Sequence, residues 1–489
     1  MAGDLLEYDI AVIGGGAAGV AAALEAGAAG AKVALLEQAD DIGGTAAISG
    51  GGCCMAGTPL QESKGIHDTP DIAFEDWVKC GQGAADEQWA RYYLDHSLHD
   101  LYFWMESYGV KWQELQQNEG NSVPRWHRPA NNGLGLMTAL INGMKSQGAT
   151  QVFTTTVVDK LLVRDGRVCG VRAMRAGAIT EIRSKAVIVA SGGFNSNLEM
   201  VLQVRPELKP YKIMAGSGPG ATGSGHRLLR ELGAYFTHMG EMAFYVYATP
   251  DYRDAQANRG LVFRGITGYI WVNQQGSRFH DESRSGAPAA TPALLQQSPP
   301  HAWAIVDSQM TGAMQIADPY YRDGDNILRD RIKELLERSP FIRCAQTLEE
   351  LARKIEVDVP AFLGEVEQYN QAVESGLARE PRFGKPLKGC KKFDTPPYRA
   401  IQLFPLARKN FGGVKTDIRC RVFNQHFELI PGLYAAGEVA GMAGGHINGK
   451  AGLEGTMIGP SFFSGRVAGG WAAHEADFGP GFIGKAREV

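Results

Sequence analysis

The sequence predicts an α/β chain: a doubly wound domain with a parallel sheet, assembled from both ends of the polypeptide, and an α+β domain inserted between its halves. Three observations lead there. A strand–glycine–helix–strand run opens the chain, strands ending in glycine turns recur near positions 190 and 437, and the middle mixes short strands with longer helical stretches. At 489 residues the chain is too long for one compact core and suits two or three domains. The limits read from the sequence are 1–235 and 395–489 for the discontinuous domain and 236–394 for the insert.

The opening run carries most of the chemistry. Tyr8 to Ile13 (YDIAVI) reads as a buried parallel strand, apolar and uninterrupted. GGGAAG then places Gly14, Gly16 and Gly19 in the spacing G-x-G-x-x-G, with Ala18 inside the motif, and the alanine-rich Ala17 to Gly27 reads as a helix. A second strand, Lys32 to Leu36, ends in Glu37. The first glycine allows the sharp turn, the second lets a pyrophosphate touch backbone, and the third lets helix pack on strand. The helix N-terminus faces the phosphates, and an acid about 20 residues on receives the ribose hydroxyls. In this order the elements define a Rossmann-like dinucleotide site. NAD and FAD share that fingerprint. Gly43 to Gly52 (GGTAAISGGG) decides between them, because a loop so rich in Gly, Ser and Thr can follow the pyrophosphate and reach a large ring. FAD is therefore the expected cofactor, with Gly44, Thr45, Ser49, Gly50 and Gly51 as candidate contacts.

A second fit, Gly218, Gly220 and Gly223 in GPGATG, precedes a helix from His226 to Leu232. YKIMAGS before it is short and polar-broken, so it reads as a loop near the flavin; a true second site would make the protein a nicotinamide-coupled reductase. Val152 to Val171 reads as strands joined by an Asp165-Gly166 hairpin turn, with Val158 a candidate cofactor contact. Val187 to Ala190 enters the turn Ser191-Gly192-Gly193, and Leu433 to Ala436 ends in Gly437-Glu438. Thr456 to Gly469 reads as a helix whose start, Thr456-Met457, would aim positive dipole at the flavin N1–C2 carbonyl. The insert holds a strand at Tyr269 to Asn273, the segment Ala302 to Asp307, and helical stretches at Thr347 to Ile355 and Ala361 to Glu374. Thr347 and Glu350 form a capping box.

Composition narrows the partners. Charged residues make up 21%, the net charge is −4, and no block of like charges suggests a nucleic-acid or membrane-binding face. No apolar run reaches the ~18 residues of a spanning helix. Met1 to Tyr8 is acidic and lacks a basic signal-peptide region. Seven cysteines without regular spacing argue against a disulfide framework, and Cys53 and Cys54 lack redox-pair spacing. The expectation is a cytoplasmic protein with a small-molecule substrate, an external electron donor or acceptor, and no metal.

The chain resembles the flavoprotein family of fumarate reductases, succinate dehydrogenases and 3-ketosteroid dehydrogenases. The matching stretches are VIGGGAAG (Val12 to Gly19), SGGG (Ser49 to Gly52), ATGSGH (Ala221 to His226), GSRFHDE (Gly276 to Glu282), FGGVKTD (Phe411 to Asp417) and LYAAGEVAG (Leu433 to Gly441). The resemblance implies an FAD domain with a capping domain closing over the isoalloxazine. It also implies interconversion of a C–C and a C=C bond beside a carbonyl or carboxylate, with hydride passing at flavin N5 and an acid or base handling a proton on the neighbouring carbon. No histidine follows Glu37 at the family's attachment place, so the flavin is expected to be non-covalent.

The catalytic set departs from the family. Arg284 is the nearest match to the fumarate reductases' proton-donor arginine but sits two residues closer to Arg278 than the pattern places it, and the tyrosine of the ketosteroid enzymes has no counterpart there. Lys409 stands where fumarate reductases carry a histidine before GG, Tyr247 or Ala248 where another is expected, and Lys450 near the last substrate-binding arginine. The dicarboxylate constellation is thus broken, and GTMIGP looks more like the ketosteroid enzymes. Arg284, Lys409, Lys450 and Tyr247 are the catalytic candidates. Against them stand solvated lysines, an arginine paired with Asp281 or Glu282, and a tyrosine in a pocket wall. His127 is read as a flavin or ligand contact or a cap, His446 as backbone support or catalysis, and His280 as structural. A flavin reductase coupled to NAD(P)H, a flavin oxidase and a flavin-binding subunit without chemistry of its own are the alternatives.

Overall fold

Apolar β-branched runs flanked by glycine give the strands, and alanine-rich runs give the helices that cover them. A computed structural model describes residues 4–118, 120–284, 289–323 and 326–482; Met1 to Gly3 of the acidic opening stretch lie outside it. In chain order the dinucleotide fold contains β1 (Ile10–Ile13), α1 (Ala17–Ala28), β2 (Val33–Leu36), α2 (Asn132–Gln147) and β3 (Thr150–Phe153). It continues with β4 (Ala186–Val189), α3 (Ser224–Glu231), β5 (Arg421–Phe423), β6 (Leu429–Ala435) and α4 (Ile458–Glu475). The sheet order is β5-β6-β4-β1-β2-β3, parallel except where β5 runs against β6. Every residue of β1, β2 and β4 is buried, as expected of strands covered on both faces. The order reverses between β1 and β4, so a cleft opens beyond their carboxyl ends.

Small residues set the spacing of the layers. Gly465 and Gly469 of α4 lie against α1: a Cβ on Gly465 would stand 2.3 Å from the Ala18 carbonyl oxygen, and one on Gly469 2.3 Å from that of Ala22. The helix expected over Thr456 to Gly469 starts later and runs longer. Thr456 is held in the preceding turn, where its hydroxyl donates to the Leu453 carbonyl at 2.6 Å, and small and aromatic residues carry the buried helix on to Glu475.

The run from Val152 to Val171 is also divided differently. Val152 and Phe153 belong to β3, and Thr156–Arg164 pairs with Arg167–Arg175 across Asp165 and Gly166, both at positive φ (49° and 75°). With Ala178–Arg183 and Asp4–Glu7 these form a four-stranded sheet. Cys53–Cys54, Trp126–Pro129 and Trp112–Gln116 form a smaller three-stranded one.

The chain divides into two compact units, one made of 1–200, 217–242 and 409–489, the other of 201–216 and 243–408. The second unit begins earlier and ends later than the 236–394 read from the sequence. Met214–Ala215 pairs in parallel with Leu406–Ala407, which draws in 201–216, and the strand Tyr398–Asn410 carries the unit's sheet to Arg408. That strand lies between Ala302–Val306 and Met242–Pro250 in the sheet. A separate core including Trp271, Tyr321, Phe362 and Tyr369 fills this unit. Thr347 caps its helix by accepting the Glu350 N–H (3.1 Å). The Glu350 carboxylate returns to Gln346 rather than Thr347, so half of the expected box forms. Among the described residues no helix is long and apolar enough to cross a membrane.

Because α1 and α4 meet at backbone distance, Gly469→Leu should destabilise the protein by roughly 1–3 kcal/mol, the usual cost of overpacking. Thermal melting of the purified protein checks this; an unchanged melting temperature would show that the helices can separate without cost.

Candidate functional site

The cleft beyond β1 and β4 is built from backbone. Gly14 takes φ +104°, and a Cβ there would stand 2.5 Å from the Ala190 carbonyl oxygen, so the turn admits no side chain. A Cβ on Gly16 would meet nothing within 4 Å, which leaves the start of α1 open. Gly16 caps α1 without a side-chain bond, so no cap side chain occupies the first helical N–H groups. Gly19 packs so closely that a Cβ would lie 1.8 Å from the Gly14 carbonyl oxygen. At the end of β2 the Glu37 carboxylate accepts N–H bonds from Gly15 (2.8 Å) and Ala39 (2.9 Å). A cavity here is lined by Gly14, Glu37, Gln38, Val158, Ser191 and Ser224. Among the described residues the buried Ser191 hydroxyl has no partner, and Gly192, at φ +75°, borders open space. An orphaned hydroxyl, an acid and bare helical N–H groups around one cavity suit a ligand with ribose and diphosphate.

The glycine-rich loop lies against that helix start. The Gly43 N–H donates to the Gly15 carbonyl at 2.8 Å, and a Cβ on Gly44 would come within 3.2 Å of Gly16 Cα. Ser49 accepts the Gly51 N–H (3.0 Å) and donates to Ala46 (2.7 Å), fixing the bend. Gly50 and Gly52 pack on the Trp126 ring, and Gly51 takes φ +69°. The GPGATG segment closes over the same loop: a Cβ on Gly218 would lie 2.5 Å from Thr45 Oγ1, and the Gln38 amide donates to the Gly220 carbonyl (3.1 Å). It follows the two-residue strand Met214–Ala215 of the other unit, not a strand of the dinucleotide sheet.

The second strand exit completes the first unit's share. Gly437, at φ +73°, sits against Ala18, and the following Glu438 carboxylate is 3.5 Å from Lys409 Nζ. Met457 is half-buried beside the Thr456 turn. Lys450 is exposed, and its N–H donates to the Gly81 carbonyl at 3.3 Å. Lys409 is therefore tied to an acid, whereas Lys450 shows no ion pair among the described residues.

Tyr247 and Arg284 belong to the second unit. Tyr247 is half-buried with its ring centroid 5.1 Å from that of Tyr245, and Arg284 is exposed. Glu282 does not depend on Arg284, because Arg278 (2.8 Å) and Lys385 (3.4 Å) occupy its carboxylate. His280 stacks on Trp271 (5.9 Å between centroids), in keeping with a structural role.

His127 is buried, with its ring nitrogens 2.7 Å from Thr58 Oγ1 and 2.7 Å from the Arg125 carbonyl, so it braces the protein interior. Burial pushes its pKa down to about 4. His226 is fully buried between Phe194 and Phe236, and burial pushes it down to about 3. His446 stacks on His238 with centroids 4.2 Å apart; burial, then Lys415 and His238, lower it to about 4. The cysteines are all free, and burial raises Cys54 to about 12, leaving it an unreactive thiol.

Sequence reading missed Gln38, Ser224, Asn195 and Asn410. The asparagines carried a usable signal: each stands beside a glycine turn at a strand exit, where buried polar side chains need a ligand or a loop to hold.

The fold and cleft define a dinucleotide-binding flavoprotein. Residues 9–457 match the FAD binding domain family. An NADH:fumarate oxidoreductase of Klebsiella pneumoniae is 31% identical over 477 residues, covering 96% of this chain and 48% of that protein, so the chain spans about half of that relative. A KsdD-like steroid dehydrogenase of Mycobacterium tuberculosis is 27% identical, with 96% of each chain covered. The open conformation of a flavocytochrome c3 fumarate reductase superposes with a TM-score of 0.78 at 29% identity, covering 96% of this chain and 79% of that one. The chain belongs to the FAD binding domain family, and it is an FAD-dependent oxidoreductase.

The buried histidines set a pH dependence. Their folded pKa values lie below the unfolded value of about 6.5, so the unfolded chain takes up protons that the folded one refuses. Stability is fully present above that value and falls with pH toward 4. Melting temperatures measured across that window should fall less steeply for His127→Gln and His226→Phe than for wild type; parallel curves would show that neither histidine titrates on unfolding.

Proposed function

We propose that this oxidoreductase interconverts a C–C single bond and a C=C bond beside the carbonyl or carboxylate of a small organic substrate. The observation that carries the reading is the alignment of 96% of the chain with both a fumarate oxidoreductase and a steroid dehydrogenase. What fumarate and a steroid enone share is an alkene conjugated to a carbonyl carbon. Bound FAD, held non-covalently, would supply the hydride acceptor or donor. Gly14, Gly16, Ala18, Gly19, Glu37 and Ser191 would hold its adenosine diphosphate half, and Gly44 to Gly51, Glu438 and the Thr456-Met457 turn its other half.

The chain's own groups then bind the carbonyl and move one proton. Lys450, exposed and without an ion pair among the described residues, is assigned to the substrate's carbonyl or carboxylate oxygen, where a cation stabilises developing negative charge. Arg284 and Tyr247 are assigned to the proton at the carbon next to the one that exchanges hydride. The pairing of Lys409 with Glu438 leaves fewer cations for a dicarboxylate, which favours a ketone or monocarboxylate. Free cysteines throughout favour a cytoplasmic setting. Electrons come from, or go to, an external carrier.

Stopped-flow mixing of photoreduced enzyme with fumarate, cinnamate and 4-androstene-3,17-dione, without oxygen, tests this. Reoxidation by cinnamate or the enone should exceed that by fumarate at least tenfold, and Lys450→Ala should slow it by about 100-fold with FAD still bound. A preference for fumarate would overturn the assignment to a ketone or monocarboxylate. Bleaching of the oxidised enzyme by NADPH alone would favour the nicotinamide-coupled alternative.

A further inference from the structure

Lys409 is the cation that sequence comparison places at a substrate site, yet its surroundings in the first unit are those of a cofactor support. Its ammonium lies 3.5 Å from one oxygen of Glu438, and the two side chains are 17% and 10% exposed. The other Glu438 oxygen accepts the backbone N–H of Asn410 (3.2 Å) and the side-chain amide of Asn195 (3.3 Å). Asn410 is fully buried and donates to the carbonyls of Gly412 (2.7 Å) and Glu438 (2.9 Å), while its own oxygen accepts from Asn195 (3.4 Å). Gly193 leaves room for nothing else: a Cβ there would stand 2.3 Å from Asn410 Oδ1 and 2.5 Å from Glu438 Oε1. The buried Asn195 side-chain oxygen has no partner among the described residues. Gly437, the residue before Glu438, touches Ala18 in the first turn of α1.

We propose that Lys409, Asn195 and Asn410 form a charge-balancing support for Glu438, and that Lys409 acts on FAD through this carboxylate rather than on the substrate. The physics is direct. Glu438 follows the residue that touches the first turn of α1, the helix assigned to a diphosphate, and an unbalanced carboxylate at that end of the cleft would repel it. One ammonium and two amide N–H groups cancel that charge and fix both oxygens, so the carboxylate can accept hydroxyl hydrogen bonds from the ligand without opposing its phosphates. Lys409 is thus a positioning residue. The inference rests on the family's FAD and not on the proposed substrate.

FAD affinity of the apoprotein, read from flavin fluorescence without substrate, separates the possibilities. Lys409→Met should weaken FAD binding about tenfold, the effect of some 1.4 kcal/mol. Lys409→Arg should bind as wild type does, and K409M/E438Q should recover most of the loss because no unbalanced carboxylate remains. A purely structural lysine would not be rescued by Glu438→Gln. Far-UV circular dichroism and apoprotein melting establish folding, and Lys409→Gln replaces the methionine variant if that one does not fold. The proposal is overturned if the uncharged variant binds FAD within about twofold of wild type, no more than an ordinary exposed ion pair contributes. It is equally overturned if the double variant shows no recovery, or if the loss appears only as a raised KM for an alkene substrate.

Discussion

The first unit depends on backbone-to-backbone approach around α1. Gly19 meets the Gly14 carbonyl, Gly465 meets that of Ala18 and Gly469 that of Ala22, each at a distance where a Cβ could not fit. Those contacts bring β1, α1 and α4 together and put the open N-terminus of α1 at the mouth of the cleft. Dispersion between closely packed backbones is individually small and collectively large, and it falls away steeply if a methyl group forces the layers apart. The same closeness leaves the start of α1 open at Gly16, beside a cavity lined by Glu37, Ser191 and Ser224. An anion can therefore sit on the helix without displacing anything.

The second unit shows how a shared motif can be architecture. In GSRFHDE, Arg278 and Glu282 form a buried ion pair, and Glu282 also accepts the Trp271 N–H at 3.1 Å. Burial alone would raise the Glu282 pKa, but Lys385 and Arg278 outweigh it and hold the carboxyl below the usual range. Burial lowers Lys385 against the pull of Glu282. Removing any one member would strand a charge away from water, which is why such clusters hold a loop in one geometry even when they add little net stability. Arg284, just beyond the cluster, starts from a fixed anchor.

The dinucleotide site was legible because its chemistry is local. β1, the glycines, α1, β2 and Glu37 all fall within the first forty residues, and each follows from the period of the apolar residues and the demand for backbone access. GPGATG reads as a loop because no buried strand precedes it, and only a two-residue strand, Met214–Ala215, stands before it in the fold. Val152 to Val171 read as strands around the Asp165-Gly166 hairpin, and they are, but strand-forming residues on both sides of Thr154-Thr155 give no sign that Val152 and Phe153 belong to a different sheet. Thr456-Met457 was placed inside a helix because small residues suit helix and turn equally, and only the bond to Leu453 decides.

Sequence by itself determined the cofactor-binding fold, the discontinuous first unit and the set of candidate cations. Tertiary structure decided how those cations differ. Lys409 and Lys450 look alike in sequence, each beside glycines, yet the first is paired with Glu438 and the second is exposed. The charge on a side chain is written in its residue type. What that charge is free to do depends on which partner lies within about 4 Å, and folding brings such partners together from distant parts of the chain.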